Sequence, residues 1–321
     1  MSKVLITGAT GFIGRAVCRA LRNSGHTLSG TSRDASLRAG PENIPLYHVP
    51  EIGPEADWAH PVVGADVIVH LAARTHVMKD RASDPLFEHQ RVNRDGTQRL
   101  AEAAVNANVK RIVFVSTIKV NGEMTTSRSF SETDAPFPQD PYAISKWEAE
   151  QVLAEIGKTS GLEVVILRAP LVYGPYVKGN FFTFMEACAR RRALPLGAIS
   201  NSRSLIYVDN LASAIVAGLN HPAAAGKTFL VCDGEDVSTP DLVRRLSSSL
   251  GVRHRLYSVP LWILRGIGSL SGKRNAIDRL TGSLQVDGTL ITNDLQWSPP
   301  VSVQDALDKT ARWYLESQTA S

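Results

Sequence analysis

Tyr142 and Lys146 stand four residues apart in Asp140-Pro-Tyr-Ala-Ile-Ser-Lys146, a spacing that can tune a phenol for proton transfer. On a helix, side chains at i and i+4 share one face. An ammonium beside a phenol favours the phenolate and draws its pKa from about 10 toward working pH. A phenol tuned in this way exchanges a proton with a carbinol or carbonyl oxygen. Asp140 followed by Pro141 supplies the helix start, an N-cap and then proline at the first helical position. Thr117 follows the apolar run Arg111-Ile-Val-Phe-Val-Ser116. A hydroxyl at such a strand end can donate to a substrate oxygen and polarise it. Each feature alone has a bland reading, a surface pair or a hydroxyl capping local backbone; their combination is what points to this chemistry.

A second constellation opens the chain, in Thr7-Gly-Ala-Thr-Gly-Phe-Ile-Gly14 after the apolar run Lys3-Val-Leu-Ile-Thr7. Gly8 permits a tight turn, Gly11 removes a side chain where phosphates approach, and Gly14 lets helix and strand pack closely. A pyrophosphate would then rest on free N–H groups near Phe12 and Ile13, at the positive end of the helix. His26–Thr31 reads as the next strand. An acidic residue at its end would bind a ribose 2′-hydroxyl and repel a 2′-phosphate. Here Ser32 and Arg33 stand, with Arg38 nearby. A guanidinium fork suits a phosphate, so NADP(H) is favoured over NAD. Asp34 offers a carboxylate one residue on, should the turn shift.

The elements that must position these groups follow a rhythm. Leu46–Val49 reads as a third strand, ending at Glu51 and Ile52, which would border an adenine. Asp66–Leu71 reads as a fourth, with Leu71, Ala72 and Ala73 passing the cofactor. Residues 85–107 have helical character, Arg111–Ser116 is a fifth strand and Glu163–Arg168 a sixth. Strands alternating with helices at this spacing imply an α/β fold, a doubly wound parallel sheet. Gly174–Arg203 breaks the rhythm, Ser204–Val208 reads as a strand, and the chain after Asp236 carries short helices. Residues 1–173 and 204–235 are therefore expected to form a dinucleotide-binding domain, and residues 174–203 and 236–321 a smaller substrate-binding lobe.

Composition limits the alternatives. The 321 residues, 43% hydrophobic and 21% charged, suit a globular protein with a large core. A net charge of +4 hints at an anionic ligand but is too mild for nucleic acid, and no basic stripe interleaves with aromatics. Three scattered cysteines, Cys18, Cys188 and Cys232, lack metal spacing and read as buried thiols, so no metal is expected. The first strand begins at Lys3, leaving no room for a signal peptide, and no apolar stretch reaches membrane length. A cytoplasmic location is expected.

Thr7–Gly14, Asn93, Ser116-Thr117, Tyr142–Lys146 and Leu167-Arg-Ala-Pro-Leu-Val-Tyr-Gly-Pro175 together resemble the extended short-chain dehydrogenase/reductases. The resemblance covers essentially the whole chain. It implies a catalytic set of Thr117, Tyr142 and Lys146 with Asn93 in support, and Lys146 also reaching the nicotinamide ribose. Within that group the chain is similar to the nucleotide-sugar branch related to UDP-glucose 4-epimerase. That likeness implies a UDP-sugar substrate, with Asn180 and Arg203 against its diphosphate, Arg279 as a second arginine and His76 facing the sugar. The dehydratases of the branch carry Asp-Glu after the catalytic threonine. Ile118 and Lys119 stand there instead, which argues against dehydration. Leu171 replaces an asparagine common in the branch. Ser116-Thr-Ile-Lys-Val-Asn-Gly122 and Arg279–Asp287 most resemble UDP-N-acetylquinovosamine dehydrogenases. Those are 4-reductases of UDP-4-keto-6-deoxy sugars for surface polysaccharide, and the resemblance also implies a homodimer. A 4-epimerase with tightly held NAD is the alternative, and a non-catalytic dinucleotide sensor a second.

Overall fold

The computed structural model describes residues 1–75, 83–270 and 274–319. Nine strands are described: β1 (Lys3–Thr7), β2 (Thr27–Ser32), β3 (Leu46–His48), β4 (Val67–His70), β5 (Arg111–Thr117), β6 (Glu163–Ala169), β7 (Leu171–Tyr173), β8 (Leu205–Tyr207) and β9 (Thr228–Leu230). Seven of them form one sheet in the order β3-β2-β1-β4-β5-β6-β9. Every pairing in it is parallel. This is the doubly wound sheet expected from the sequence. Its order reverses direction between β1 and β4, where the crevice of such sheets opens at the carboxyl ends of the strands.

The strands bury both faces because their side chains alternate. Val4, Ile6, Val67, Val69, Val113, Val165 and Leu167 point into one core. Leu5, Ile68, Ile112, Phe114, Val164 and Ile166 point into the other. The first core is covered by α1 (Phe12–Asn23), among other helices, through Ala16, Val17 and Leu21. The second is covered by α3 (Gly96–Asn106) and α4 (Pro141–Ser160), through Leu100, Ala104, Ala149 and Leu153.

The helical stretch expected over 85–107 is not one regular helix. It comprises α2 (Pro85–Gln90), a π-helical turn (Arg91–Asp95) and then α3. Beyond α4 come α5 (Gly179–Ala189), α6 (Val208–Asn220), α7 (Thr239–Ser249), α8 (Leu261–Leu270), α9 (Arg274–Thr281), α10 (Thr289–Leu295) and α11 (Val303–Thr319). The strand read at Ser204–Val208 is present as β8, but it leaves the main sheet and pairs in parallel with β7. Asp233 ties this small sheet to the large one. Its carboxylate accepts from Tyr173 Oη at 2.9 Å, Tyr207 N at 2.9 Å and Asn210 Nδ2 at 2.8 Å.

The β1–α1 turn shows why glycine stands where it does. Gly8 adopts φ +71°, a left-handed conformation that other residues enter at a cost. A Cβ on Gly14 would lie 2.3 Å from the Gly8 carbonyl and 2.5 Å from that of Ala9. Both atoms are backbone and cannot give way. Gly14→Ala should therefore lower Tm by several degrees and weaken dinucleotide binding at least tenfold, read by thermal melts and fluorescence titration. A variant with unchanged melting would mean that the helix does not sit this close to the strand.

Candidate active site

The carboxyl edge of β1 and β4 is organised by a buried polar chain. Thr7 and His70 are register partners, and Thr7 Oγ1 lies 2.6 Å from His70 Nδ1. His70 Nε2 lies 2.9 Å from Thr97 Oγ1, which donates to the Asn93 carbonyl at 2.6 Å. Thr97 has then spent its only hydrogen, so it must accept from an Nε2–H. His70 Nδ1 consequently accepts from the Thr7 hydroxyl. The ring is thereby held neutral, and burial, with the charge of Lys146 added, lowers its pKa to about 3. Thr7 Oγ1 also accepts from Leu71 N and Ala72 N, each at 3.2 Å, fixing the loop that leaves β4.

Asn93 lies in the π-helical turn, an arrangement that often marks a functional site. Its Oδ1 accepts from Arg74 N at 2.8 Å. Its Nδ2 donates to Arg74 O at 3.0 Å and to Ser145 Oγ at 2.9 Å. The amide thus clips the loop after β4 to the helix that carries Tyr142 and Lys146.

That helix starts as expected: Asp140 caps it, Oδ1 accepting from Ala143 N at 2.7 Å, with Pro141 following. Lys146 is carried into the interior, 2% exposed. Its Nζ sits 3.6 Å from the centroid of the Phe114 ring, which on its other contact stacks with His70 at 5.5 Å. Burial lowers the ammonium pKa to about 7, against the opposing pull of Glu150. Tyr142 is partly buried, with His89 edge-on at 6.1 Å. Burial, with the Asp140 carboxylate in addition, holds its phenol well above the ordinary range. The lowering of this phenol by Lys146, expected from their spacing, is therefore not produced by the chain's own groups. The ammonium lies against Phe114, and desolvation governs the phenol.

Thr117 ends β5 and is buried; its Oγ1 accepts from Lys119 N at 3.3 Å. Accepting there leaves the hydroxyl hydrogen available to donate elsewhere. Behind it, Glu150 accepts from Ser116 Oγ, from Arg168 Nη2 at 2.6 Å and from Arg168 Nε at 3.1 Å. Arg168 Nη1 donates to Asn121 Oδ1 at 2.9 Å. Sequence reasoning did not single out this buried pair. An arginine inside the apolar run of β6, and a glutamate one helical turn beyond Lys146, are the signals that would have found it.

On the ribose side, Ser32 is buried and its Oγ accepts from Asp34 N at 3.0 Å. The Asp34 carboxylate turns to Ser36, accepting from its N at 2.9 Å and its Oγ at 2.6 Å. Arg33 and Arg38 are exposed. Gly11 caps α1 without a side-chain hydrogen bond, so the first N–H groups of the helix have no side-chain partner there. Phe12 and Ile13 pack against the core beneath, and the missing Cβ of Gly14 lets the start of the helix lie against the Gly8 and Ala9 carbonyls. These residues fit a dinucleotide pyrophosphate. Glu51, expected beside an adenine, is ion-paired to Arg91, while Ile52 packs on the second core.

Of the substrate-side expectations, Asn180 is exposed in the first turn of α5. Arg203 donates from Nη1 to the carbonyls of Arg279 at 2.8 Å and Gly282 at 2.9 Å. One arm of its fork therefore latches the end of α9. Burial holds the Arg203 pKa below its ordinary value, against the opposing pull of Glu123. Arg279 adds a smaller lowering to the Asp140 pKa, behind the hydrogen bonds from Lys119 and Ala143 N. His76 lies outside the described residues. Among the described residues, no group of His, Cys, Asp and Glu has metal-binding geometry, and no helix is long and apolar enough to cross a membrane.

Residues 4–232 match the NAD dependent epimerase/dehydratase family. The chain belongs to that family. It is 40% identical to a UDP-glucose 4-epimerase of Vibrio cholerae, over 98% of this chain and 96% of that protein. It is 30% identical to a dTDP-glucose 4,6-dehydratase of Streptomyces griseus, over 97% and 93%. A dTDP-glucose 4,6-dehydratase of Streptomyces venezuelae, solved with NAD bound, superposes with a TM-score of 0.77 at 28% identity, covering 99% of this chain and 98% of that one. The family assignment agrees with the extended short-chain dehydrogenase/reductase resemblance read from the motifs.

The buried ammonium has a measurable consequence without any ligand. Between a folded pKa of about 7 and an unfolded pKa near 10.5, the unfolded chain holds more protons at Lys146. Stability from this group should therefore rise with pH through that window. Lys146→Met should stabilise the ligand-free protein at pH 6, on the order of 1–3 kcal/mol, with the gain shrinking toward pH 10. Denaturant melts of both forms across this range provide the check. An equal gain at all pH values would show that the amine is solvated.

Proposed function

We propose that this enzyme is an NADP(H)-dependent 4-reductase of a UDP-linked 4-keto-6-deoxy-N-acetylhexosamine, serving surface polysaccharide synthesis. What supports this reading is that Thr117 ends β5 at the carboxyl edge of the sheet, that α4 carries Tyr142 one turn before a Lys146 buried over Phe114 of that same strand, and that no carboxylic acid stands at positions 118 and 119. A bound nicotinamide would exchange the hydride with sugar C4. Thr117 Oγ1, already an acceptor from Lys119 N, donates its hydrogen to the C4 oxygen and holds it. Tyr142 gives that oxygen its proton, a task suited to a phenol that burial keeps protonated. Lys146, pre-placed without water around it, meets the nicotinamide ribose, while Asn93 keeps the helix and the β4 loop in register. In this reading Glu51, Ile52, Leu71, Ala72 and Ala73 border the adenosine and ribose of the cofactor. Asn180, Arg203 and Arg279 hold the sugar's diphosphate.

NADP(H) is preferred because Arg33 is exposed at the end of β2 while the Asp34 carboxylate is engaged by Ser36. Residues 1–173 and 204–235 would carry the dinucleotide, and residues 174–203 and 236–321 the sugar. A homodimer belongs to the same proposal. The 40% identity to a UDP-glucose 4-epimerase favours a second reading, 4-epimerisation with NAD retained through the cycle.

Incubating the purified protein with a panel of UDP-sugars and each nicotinamide decides between them. The reductase should oxidise NADPH only when a 4-keto sugar is present, with the product hydroxyl visible by NMR. Interconversion of two UDP-sugars without added cofactor would establish the epimerase instead. Tyr142→Phe should reduce kcat by about 10²–10⁴-fold with dinucleotide affinity nearly intact. Arg33→Ala should weaken NADPH binding at least tenfold and leave NADH binding within about twofold. Equal losses for both cofactors would reverse the assigned preference.

A further inference from the structure

Lys119 occupies a position for which the reaction proposed above has no task, yet its surroundings are specific. It lies in the short 3₁₀ turn (Ile118–Val120) that follows β5. Its ammonium contacts Asp140 Oδ2 at 2.5 Å and Glu123 Oε1 at 3.0 Å. Asp140 divides its two oxygens: Oδ1 caps α4 through Ala143 N, and Oδ2 meets Lys119. The next residue but one is Tyr142. All three ion-cluster side chains are between 20% and 28% exposed, so the pairs are only partly screened by solvent.

We propose that Lys119 is a positioning residue for the Tyr142 phenol, clamping the Asp140 carboxylate so that its charge is compensated at the helix start that carries the phenol. The inference rests on the reading of Tyr142 as the proton-transfer group. Asp140 and His89 act on or touch that phenol directly, and the remaining charged groups of the region reach it through Asp140 or lie one turn along α4. Asp140 and Lys146 come from α4, His89 from α2, Lys119 and Glu123 from the segment after β5, and Arg279, acting on Asp140, from the end of α9. Among these, the Asp140 carboxylate opposes ionisation of the phenol. The same carboxylate is held below its ordinary range by Lys119, despite the burial that works against it. An ammonium at residue 119 thus serves α4 twice, steadying its cap and limiting the field of that cap at the phenol. A carboxylate at residue 119 would do the reverse.

The test uses the full chain with NADP⁺ and the alcohol product, the direction in which the phenolate is the reactive form. Lys119→Met should move the ascending limb of the kcat–pH profile to higher pH, a loss of about tenfold at any pH below it. Lys119→Arg should restore the wild-type limb. Asp140→Asn keeps a capping side chain and removes the charge, so its limb should move to lower pH. In that background the ammonium has only Glu123 to hold it, and adding Lys119→Met should then shift the limb little. A Lys119→Met shift of the same size with and without Asp140 would overturn the proposal, as would a change confined to KM. A second readout needs no turnover: the Asp140 carboxyl ¹³C resonance, assigned by its loss in Asp140→Asn. Its titration midpoint should rise in Lys119→Met, and an unchanged midpoint would show that no clamp exists. Lack of turnover by the wild type on every UDP-sugar would overturn the assigned reaction, while the carboxyl titration would still decide the clamp.

Discussion

An ammonium buried at the end of a parallel sheet is the constraint around which the site is built. Lys146 leaves water, which alone is costly, and receives in exchange an aromatic face and a carboxylate one turn along its own helix. The carboxylate cannot stand alone either, so Glu150 is forked by Arg168 and met by Ser116. Removing either Glu150 or Arg168 would strand the other in the interior. His70, stacked with Phe114, must stay uncharged, and the Thr7–His70–Thr97 chain fixes the tautomer that allows it. Strands β1 and β4 end on a residue of this assembly, Thr7 and His70, and β5 and β6 contribute theirs one residue before their ends, Ser116 and Arg168. The order of the sheet and the chemistry of its rim are therefore one arrangement.

Much of this was legible before any coordinates. The parallel strands announce themselves because a strand buried on both faces is apolar at nearly every position, as in Val-Leu-Ile and Ile-Val-Phe-Val. The glycine turn was legible because only a missing Cβ satisfies the approach at Gly14. The Asp140-Pro141 start of α4 followed from capping chemistry that is local in sequence. What was misread depended on distance along the chain. The direction in which the Tyr142 phenol shifts is set by burial among residues far away in sequence, and spacing to Lys146 says nothing about it. The pairing of β8 with β7 instead of the main sheet, and the entry of the short β9 at its edge, are likewise tertiary decisions. Strands of three residues carry too little periodicity to declare their partner.

The two arginines on the far side of the cleft show the same limit. Arg203 is a candidate phosphate fork by residue type, yet one of its nitrogens closes the turn after α9. A guanidinium fixed in this way would lose less freedom on meeting an anion than a fully mobile one. Asp233 plays the corresponding part between the sheets, accepting from residues on β7, β8 and α6. The small sheet is thereby held in a defined position over the rim of the large one.

The wide π turn at Arg91–Asp95 carries a consequence for how this fold tolerates change. One additional residue in a helical turn advances everything after it by about 100°. Asn93 reaches both Arg74 and Ser145 only in the resulting register. Trimming a single residue from this turn would give a straighter and more regular helix. It would also swing the amide off the loop and sever the brace between the exit of β4 and helix α4, so the irregularity is retained because regularity would cost the alignment of the rim.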